Sequence, residues 1–566
     1  MKNEHKTHKR PLPIGFSDFK EVRENGCYYI DKTLFIKEIT KASAKVLLIP
    51  RPRRFGKTLN LSMLRYFYEK TGKNQNACDE DIFETHLFKG LSVCNEDIFE
   101  THRERYPLIW LTFKDAKELD WKAMYRKLTN ILRDEFLRHN ILLKSDILEQ
   151  TEQDYFEAIL NRKAELPDYT DALRYLSDFL RRYHNERVVI LIDEYDTPIH
   201  SAYAGGYYKE VVSFMRNLLS GGLKDNEHLF KGVVTGILRV AKESIFSGLN
   251  NLDVFTLLDE EFNSSFGFTD EEVRLLLKDY GLSDRYDEVS EWYNGYLFGG
   301  EIIYNPWSVL SYVNRKSVKA RPYWVNTADT GMIDDLATRG GRELREELGH
   351  LLEGAITKPV YDNIAMRDLD KRDDLLWSFL LFSGYLKIVE EIDYDVYRLQ
   401  IPNQEVRTIY ERMVRTWFTD KVEFNRLETM LKALEDGNVK LFEQILREVV
   451  LQIMSYHDFS GTPEKVYHAL VTGMLVWMSG KYEIRSNRES GYGRYDLMLK
   501  PKDTAKQGII IEFKKVYEDD SPEDVLEEAL NQIEDKKYVA ELEGGGIKNI
   551  LKIAVVFRGK ELWVKT

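Results

Sequence analysis

Asp496, Glu512 and Lys514 carry the chemistry of greatest interest in this chain. They lie in two short apolar runs, Tyr495–Leu499 and Gly508–Phe513, separated by a polar loop centred near Thr504. A hairpin symmetric about that point sets Asp496 opposite Glu512, with Cβ atoms about 4.5–5.5 Å apart. Lys514, two residues on, shares their face. Carboxylates that close repel, so one holds a proton unless a cation lies between them. A hard divalent ion such as Mg²⁺ suits such oxygen ligands. Lys514 then stands where it can orient or polarise an attacking water, and the three together have the makings of phosphodiester cleavage. The plain alternative is an exposed hairpin with cross-strand ion pairs. Between Lys481 and Lys515 there are nine Lys/Arg against five Asp/Glu, a local basic excess on a chain whose net charge is −13.

A second set of residues points to nucleotide chemistry. Lys45–Pro50 reads as a buried strand, followed by RPRRF, then Gly56-Lys57-Thr58, then a periodic helix from about Leu59 to Lys70. Strand, turn and helix in that order make a phosphate-binding loop, with backbone N–H groups at a helix N-terminus facing the anion. Lys57 is expected to reach the β- and γ-phosphates of ATP and Thr58 to ligate its Mg²⁺. The glycine that usually opens such a loop is replaced by Arg51, which puts the backbone path in question. Arg51, Arg53 and Arg54 either add phosphate contacts, Arg54 being the one assigned to the nucleotide, or form surface ion pairs.

The partner of this loop is the aliphatic run Val188–Ile192 with Asp193-Glu194-Tyr195-Asp196 directly after it. A strand apolar on both faces belongs in a parallel sheet, and ligands of open α/β sheets bind beyond the C-terminal strand ends. Asp193 is expected to hold Mg²⁺ and Glu194 to position the hydrolytic water. Lys231–Val240 is a further strand. Thr235 and Arg239 at its tip are either sensors of a γ-phosphate or an ordinary strand end with a surface arginine. With Pro107–Phe113 and Leu252–Leu257 these strands make five, separated by helices: a doubly wound parallel sheet.

At 566 residues there is room for several domains. No stretch approaches the roughly 20 apolar residues of a membrane span, so no membrane partner is expected, and the N-terminal MKNEHKTHKRPLP lacks the apolar core of a secretory signal. Three cysteines without metal spacing suit a reducing, cytoplasmic setting. The acidic balance argues against a protein that coats nucleic acid through a global basic field, but leaves a local groove open. The aromatic cluster Trp292, Tyr293, Tyr296, Tyr304 and Trp307 is read as core before it is read as a base-stacking surface. HExxH and GxSxG patterns are absent.

With these residues in place, the C-terminal stretch, NRESGYGRYD through Glu512-Phe513-Lys514, resembles the PD-(D/E)xK nuclease superfamily. The segments YYIDKT, RPRRFGKT, LIDEYD, TGILRVAKESIFSGLNNL, WYNGYLFGG and IYNPWSV look like a family of bacterial AAA-ATPase-like proteins carrying such a module at the C-terminus. The resemblance implies an ATP-binding N-terminal domain. It also implies a metal-binding Glu464 on the helix before the hairpin, beside Asp496 and Glu512, with Gln532 and Tyr538 completing the site. The expected organisation is a disordered basic tail at 1–11, an α/β P-loop ATPase core at 12–260, a helical and winged-helix-like lid at 261–400, a helical linker at 401–455 and an α/β nuclease-like domain at 456–566. The reading is an ATPase coupled to a Mg²⁺-dependent nuclease acting on DNA. ATP state would either gate nucleic-acid access or assemble protomers into a homo-oligomer. The alternative is an ATP-dependent oligomerising switch or interaction protein whose C-terminal module binds nucleic acid without cutting it.

Overall fold

A computed structural model describes residues 9–70, 85–238, 251–315, 319–324, 342–362, 368, 372, 374–419, 424–453, 471, 474–478, 480–490, 493–517 and 519–566. Arg239 and Glu464 lie outside them. The chain forms two compact units. One comprises Met1–Ala328 and Thr357–Glu405, the other Asp329–Ile356 and Val406–Thr566.

The first unit is built on five parallel strands: β1 (Val46–Pro50), β2 (Leu108–Thr112), β3 (Val188–Asp193), β4 (Leu229–Gly236) and β5 (Leu252–Val254), in spatial order β2-β3-β4-β1-β5. All five strands expected from the sequence are present. Every residue of β1 and β3 is buried, as a sheet covered by helices on both faces requires. The order matters for the site. β4 lies between β1 and β3, and its pairing sets Thr235 beside Ile49 and Val234 beside Ile192. The residues that follow β1 and end β3 therefore flank the tip of β4.

Residues 261–400, expected as a helical and winged-helix-like lid, carry strands as well as helices. They contain two three-stranded sheets. One is β6 (Phe268–Thr269), β7 (Tyr296–Phe298) and β8 (Glu301–Tyr304) in the order β6-β8-β7. The other is β9 (Ile356–Pro359), β10 (Lys387–Asp393) and β11 (Val396–Gln400) in the order β10-β11-β9. All but β10 have two to five residues, too short an alternation to register as β structure, and Gly299-Gly300 closes the tight β7–β8 hairpin. Tyr293, Tyr296 and Tyr304 are buried, and Trp292 and Trp307 pack against the local core, so these aromatics are core residues. Of the tail expected at 1–11, residues 1–8 lie outside the described residues, and the Arg10 and Pro11 carbonyls accept from Tyr280 Oη and Tyr28 N.

In the second unit the helices Phe424–Glu435 and Val439–Ile453 are not a linker. Leu427, Met430, Phe442, Ile445, Leu446 and Val449 share one apolar core with Leu497, Ile511 and Phe513 of the C-terminal sheet. Their amphipathic faces have to be buried, and that sheet face is what buries them. The sheet runs β12 (Tyr482–Ser490), β13 (Gly493–Pro501), β14 (Gly508–Lys515), β15 (Ile550–Arg558) and β16 (Glu561–Lys565) in sequential order. All pairs are antiparallel except β14–β15. That parallel pair needs a crossover, which the helix Pro522–Asp535 supplies.

Alternation in β13 and β14 separates two environments. Leu497, Leu499, Ile509, Ile511 and Phe513 face the helical core, whereas Met498 and Ile510 face a second cluster with Ile533, Tyr538 and Leu542. Phe513→Ala should therefore cost about 3–5 kcal/mol, as for other buried phenylalanines, measured by urea unfolding of the second unit. A loss below about 1 kcal/mol, the range of surface substitutions, would contradict this assignment of faces.

Candidate functional site

The phosphate loop runs from the end of β1 to the helix Lys57–Tyr68. Gly56 caps that helix in the left-handed region at φ 88°, where a side chain would be strained. Lys57 is buried, and its Nζ donates to the carbonyls of Arg51 and Pro52 at 3.0 Å each. Burial lowers its pKa, against the raising influence of Glu194, Asp193 and Asp196.

Thr58, Asp193 and Thr235, each proposed from sequence, meet in one chain of hydrogen bonds. Thr58 Oγ1 donates to Asp193 Oδ2 at 2.8 Å and Thr235 Oγ1 donates to Asp193 Oδ1 at 2.9 Å. Asp193 is fully buried and its pKa is raised, by burial first and by Glu194 second. Glu194 takes φ 51°, a conformation rarely adopted outside functional or tightly held turns. Thr197 Oγ1 donates to its Oε2 at 3.2 Å. A hydroxyl and a carboxylate beside a lysine at a helix N-terminus fit the triphosphate–Mg²⁺ group. Thr58 and Asp193 are the oxygens that would hold the metal, and Lys57 with the loop N–H groups would hold the phosphates.

Of the loop arginines, Arg51 departs from both expectations. Arg51 makes no surface ion pair, because it is fully buried between the rings of Phe266 and Phe298. Arg54 has φ 68° and lays its guanidinium 4.4 Å from the centre of the Trp307 ring.

Sequence reading also missed the part played by Tyr195 and Asp196. Asp196 Oδ2 accepts from the N–H groups of Ile237 and Leu238 at 2.7 and 3.0 Å, and Tyr195 Oη donates to Leu238 O at 2.7 Å. They bind the turn after β4 to the end of β3, and so hold Thr235 against Asp193. Burial raises the Asp196 pKa, but His200 and the two N–H groups outweigh it and hold the group below its ordinary range. The signal was present in the spacing. A second buried acid three residues after Asp193 has to be met by donors, here two backbone N–H groups and His200 four residues on.

In the second unit the β13–β14 register pairs Leu497 with Ile511 and Leu499 with Ile509. The residue sum is the one that places Asp496 opposite Glu512. The ladder ends there and the carboxylates take over. Phe513 N donates to Asp496 Oδ2 at 2.8 Å and Asp496 N to Glu512 Oε2 at 3.4 Å. Glu512 is 2% exposed. Burial, then the neighbouring Asp496 charge, push its pKa up to about 8, against Lys514 and the amide of Gln532. Gln532 reaches Glu512 Oε1 from the helix Pro522–Asp535 and also approaches Tyr538 Oη at 3.3 Å. Lys514 pairs with Glu528 at 2.9 Å. Glu528 was missed, although it lies one helical turn before Gln532 and so shares its face.

Among the described residues, no group of three or more His, Cys, Asp and Glu is gathered as for a metal ion. Asp496 and Glu512 form a pair, and the third carboxylate expected at Glu464 lies outside those residues. A like-charge pair with one carboxylate buried and the other half-buried fits a divalent cation, since the cation offsets both the repulsion and the desolvation penalty.

Residues 13–246 match the family model described as a predicted AAA-ATPase, AAA-ATPase-like, and residues 462–566 match the model of the PD-(D/E)XK nuclease superfamily. A protein of Azotobacter chroococcum mcd 1, described as an uncharacterized protein in vnfD 5'region, is 30% identical over 415 residues. The match covers 70% of this chain and 69% of that protein.

The raised Glu512 pKa makes a testable demand. The folded carboxyl keeps its proton in a range where the unfolded chain has released it, so stability is full at low pH and falls as pH rises from the ordinary carboxylate range to about 8. Amide exchange in β14 should report that loss. Glu512→Gln should flatten the dependence, and Mg²⁺ should restore protection at the alkaline end by mass action. Exchange that is flat in the parent across this window would mean that Glu512 is already ionised in the fold.

Proposed function

The chain belongs to the AAA-ATPase-like family and carries a PD-(D/E)XK nuclease superfamily domain at its C-terminus, and on that premise we propose that it binds and hydrolyses ATP–Mg²⁺ and cuts DNA in a Mg²⁺-dependent reaction. The observation that carries the second half is the Asp496–Glu512 pair at the end of the β13–β14 ladder, Glu512 buried and Asp496 half-buried, with Lys514 on the same strand as Glu512 and Gln532 bonded to it. A hairpin held only by surface ion pairs has no reason to bury one carboxylate against another.

In the ATPase half, Lys57 leaves the Arg51 and Pro52 carbonyls for the phosphates, Thr58 and Asp193 offer oxygens to the metal, and Glu194 orients the attacking water. Thr235 keeps Asp193 aimed. In the nuclease half, Mg²⁺ when bound neutralises the two carboxylates and lowers the pKa of its water. Asp496 and Glu512 hold it, Gln532 fixes the Glu512 carboxylate, and Lys514 orients water and supports charge on the phosphate. Among the described residues no helix is long and apolar enough to cross a membrane. A cytoplasmic setting, DNA as partner and assembly of protomers belong to the same proposal.

Lys57→Ala should weaken ATP binding by about 2–3 kcal/mol, the size of charge-assisted hydrogen bonds, as measured by nucleotide titration. Glu194→Gln should leave binding intact and slow hydrolysis by about a hundredfold, within the range of a positioned acid–base group. Equal loss of both would assign Glu194 to the structure of the turn.

For the nuclease, purified protein should nick supercoiled plasmid in Mg²⁺, and Asp496→Asn or Glu512→Gln should abolish nicking together with metal binding. Lys514→Ala should keep the metal and lose rate. Retained DNA binding and ATP hydrolysis, with no nicking by the parent, would favour the switch reading instead.

A further inference from the structure

Arg51 occupies the position where a phosphate loop usually has its first glycine, yet it does what no glycine can. Its Nη1 donates to Pro50 O at 2.9 Å and Phe255 O at 2.8 Å, and its Nη2 approaches Phe262 O at 3.3 Å. Phe266 and Phe298 cover the guanidinium, each ring centre 5.4 Å away. Its two Nη atoms thus meet three backbone carbonyls, two of them in the segment that follows β5, while the buried Nε has no hydrogen-bond partner among the described residues.

That segment is fastened to the loop at further points. Gly267 N donates to Phe55 O at 3.1 Å, and Asn60, on the first turn of the helix after the loop, donates to Ser265 O at 2.7 Å. Phe262 adopts φ 60°, a conformation a bulky residue takes only when its surroundings impose it. Gly267 has φ 80°, and a Cβ there would come within 2.2 Å of Ile303 and 3.0 Å of Phe55. Side-chain packing this close at Gly267, with Phe262 and Gly267 both left-handed, makes a built contact between residues 255–267 and the loop.

We propose that Arg51 is a positioning residue that presets the phosphate loop by bonding it to the 255–267 segment, so that this segment, instead of a loop glycine, sets the backbone path that receives the nucleotide. The proposal rests on the nucleotide reading for its consequence, and on the contacts alone for its structural half. It accounts for a loop with one glycine. A loop held from outside has no need of intrinsic glycine turns at its start, and an arginine supplies the several donors in one plane that three carbonyls require.

The decisive variant is Arg51→Gly, which installs the residue that phosphate loops usually carry. If the position were merely a drifted glycine, the variant would bind ATP as well as the parent or better. The proposal expects the reverse in the full-length protein. ATP affinity should fall about tenfold or more, the effect of losing charge-assisted hydrogen bonds. Amides of the phosphate loop and of residues 255–267 should exchange faster, with β3 unchanged. Arg51→Lys, which keeps the charge but not the planar fork, should recover part of the protection. Phe298→Leu, which leaves the loop sequence intact and removes one covering ring, should move the same amides in the same direction, and it decides the matter should Arg51→Gly fail to fold.

Unchanged ATP affinity and unchanged exchange in Arg51→Gly overturn the proposal. Should the parent itself bind no ATP, the nucleotide reading fails, and the exchange data alone uphold or overturn the positioning role.

Discussion

A charge withdrawn from water must be met by partners or it will neutralise, and both units of this protein place carboxylates on or just beyond buried strands. Asp193, Asp196 and Glu512 are all buried; Asp193 and Glu512 lie on strands, and Asp196 caps the helix that follows β3. The positions of Thr58, Thr235, Gln532 and the turn after β4 follow from this constraint. Each supplies a donor to one of these carboxylates, and none could do so if the sheet order or register differed. Moving β4 from between β1 and β3 would take Thr235 from Asp193. A one-residue slip of β14 would turn Glu512 into the helical core and leave Gln532 facing Phe513.

The two units meet the constraint to different degrees, and the difference has chemical meaning. Asp193 accepts one hydroxyl on each oxygen and lies near the Lys57 ammonium, so its network closes within the protein. Glu512 has an amide on one oxygen and a backbone N–H on the other, but its nearest charged neighbour on the opposing strand is another carboxylate. Lys514 lowers the penalty and is itself shared with Glu528. The first network is a rigid seat. The second is frustrated, and frustration of this kind marks a place where a cation or a proton completes the structure.

Much of this was legible in the sequence because the signals are local. The midpoint of a short loop sets the register of a hairpin, so the Asp496–Glu512 opposition needed only the two apolar runs. Aliphatic runs of five or six residues identified the core strands. Other features were illegible because they depend on partners far along the chain. The role of Arg51 needs Phe255 and Phe262, more than two hundred residues away, and no period or spacing points there. The helices at 424–453 have the amphipathic pattern of any surface helix, and only the sheet shows what their apolar faces meet. β6, β7 and β8 are too short for alternation to separate them from turns. Arg239 and Glu464 fall outside the described residues, so the structure bears on neither.

The phosphate loop shows how a local rule can be broken without loss of the feature it usually serves. A glycine at the start of such a loop is useful because it permits a tight path at little steric cost. An arginine there forgoes that freedom, and the 255–267 segment bears a left-handed phenylalanine, a strain of about 1–3 kcal/mol. Against this stand the Arg51 hydrogen bonds, each worth about 1.5–3 kcal/mol when a charged donor is involved. Desolvating the guanidinium offsets part of that gain, and burial depresses its pKa to about 9, still on the charged side of neutrality. The balance lets a tertiary contact replace a local one. It has a price in modularity, because a loop shaped by residues 200 positions away in sequence cannot keep its shape when those residues move. Whatever disturbs the segment after β5 is therefore transmitted to the loop through Arg51, Phe55 and Asn60, and by the reciprocity of linked equilibria whatever binds at the loop acts back on the segment.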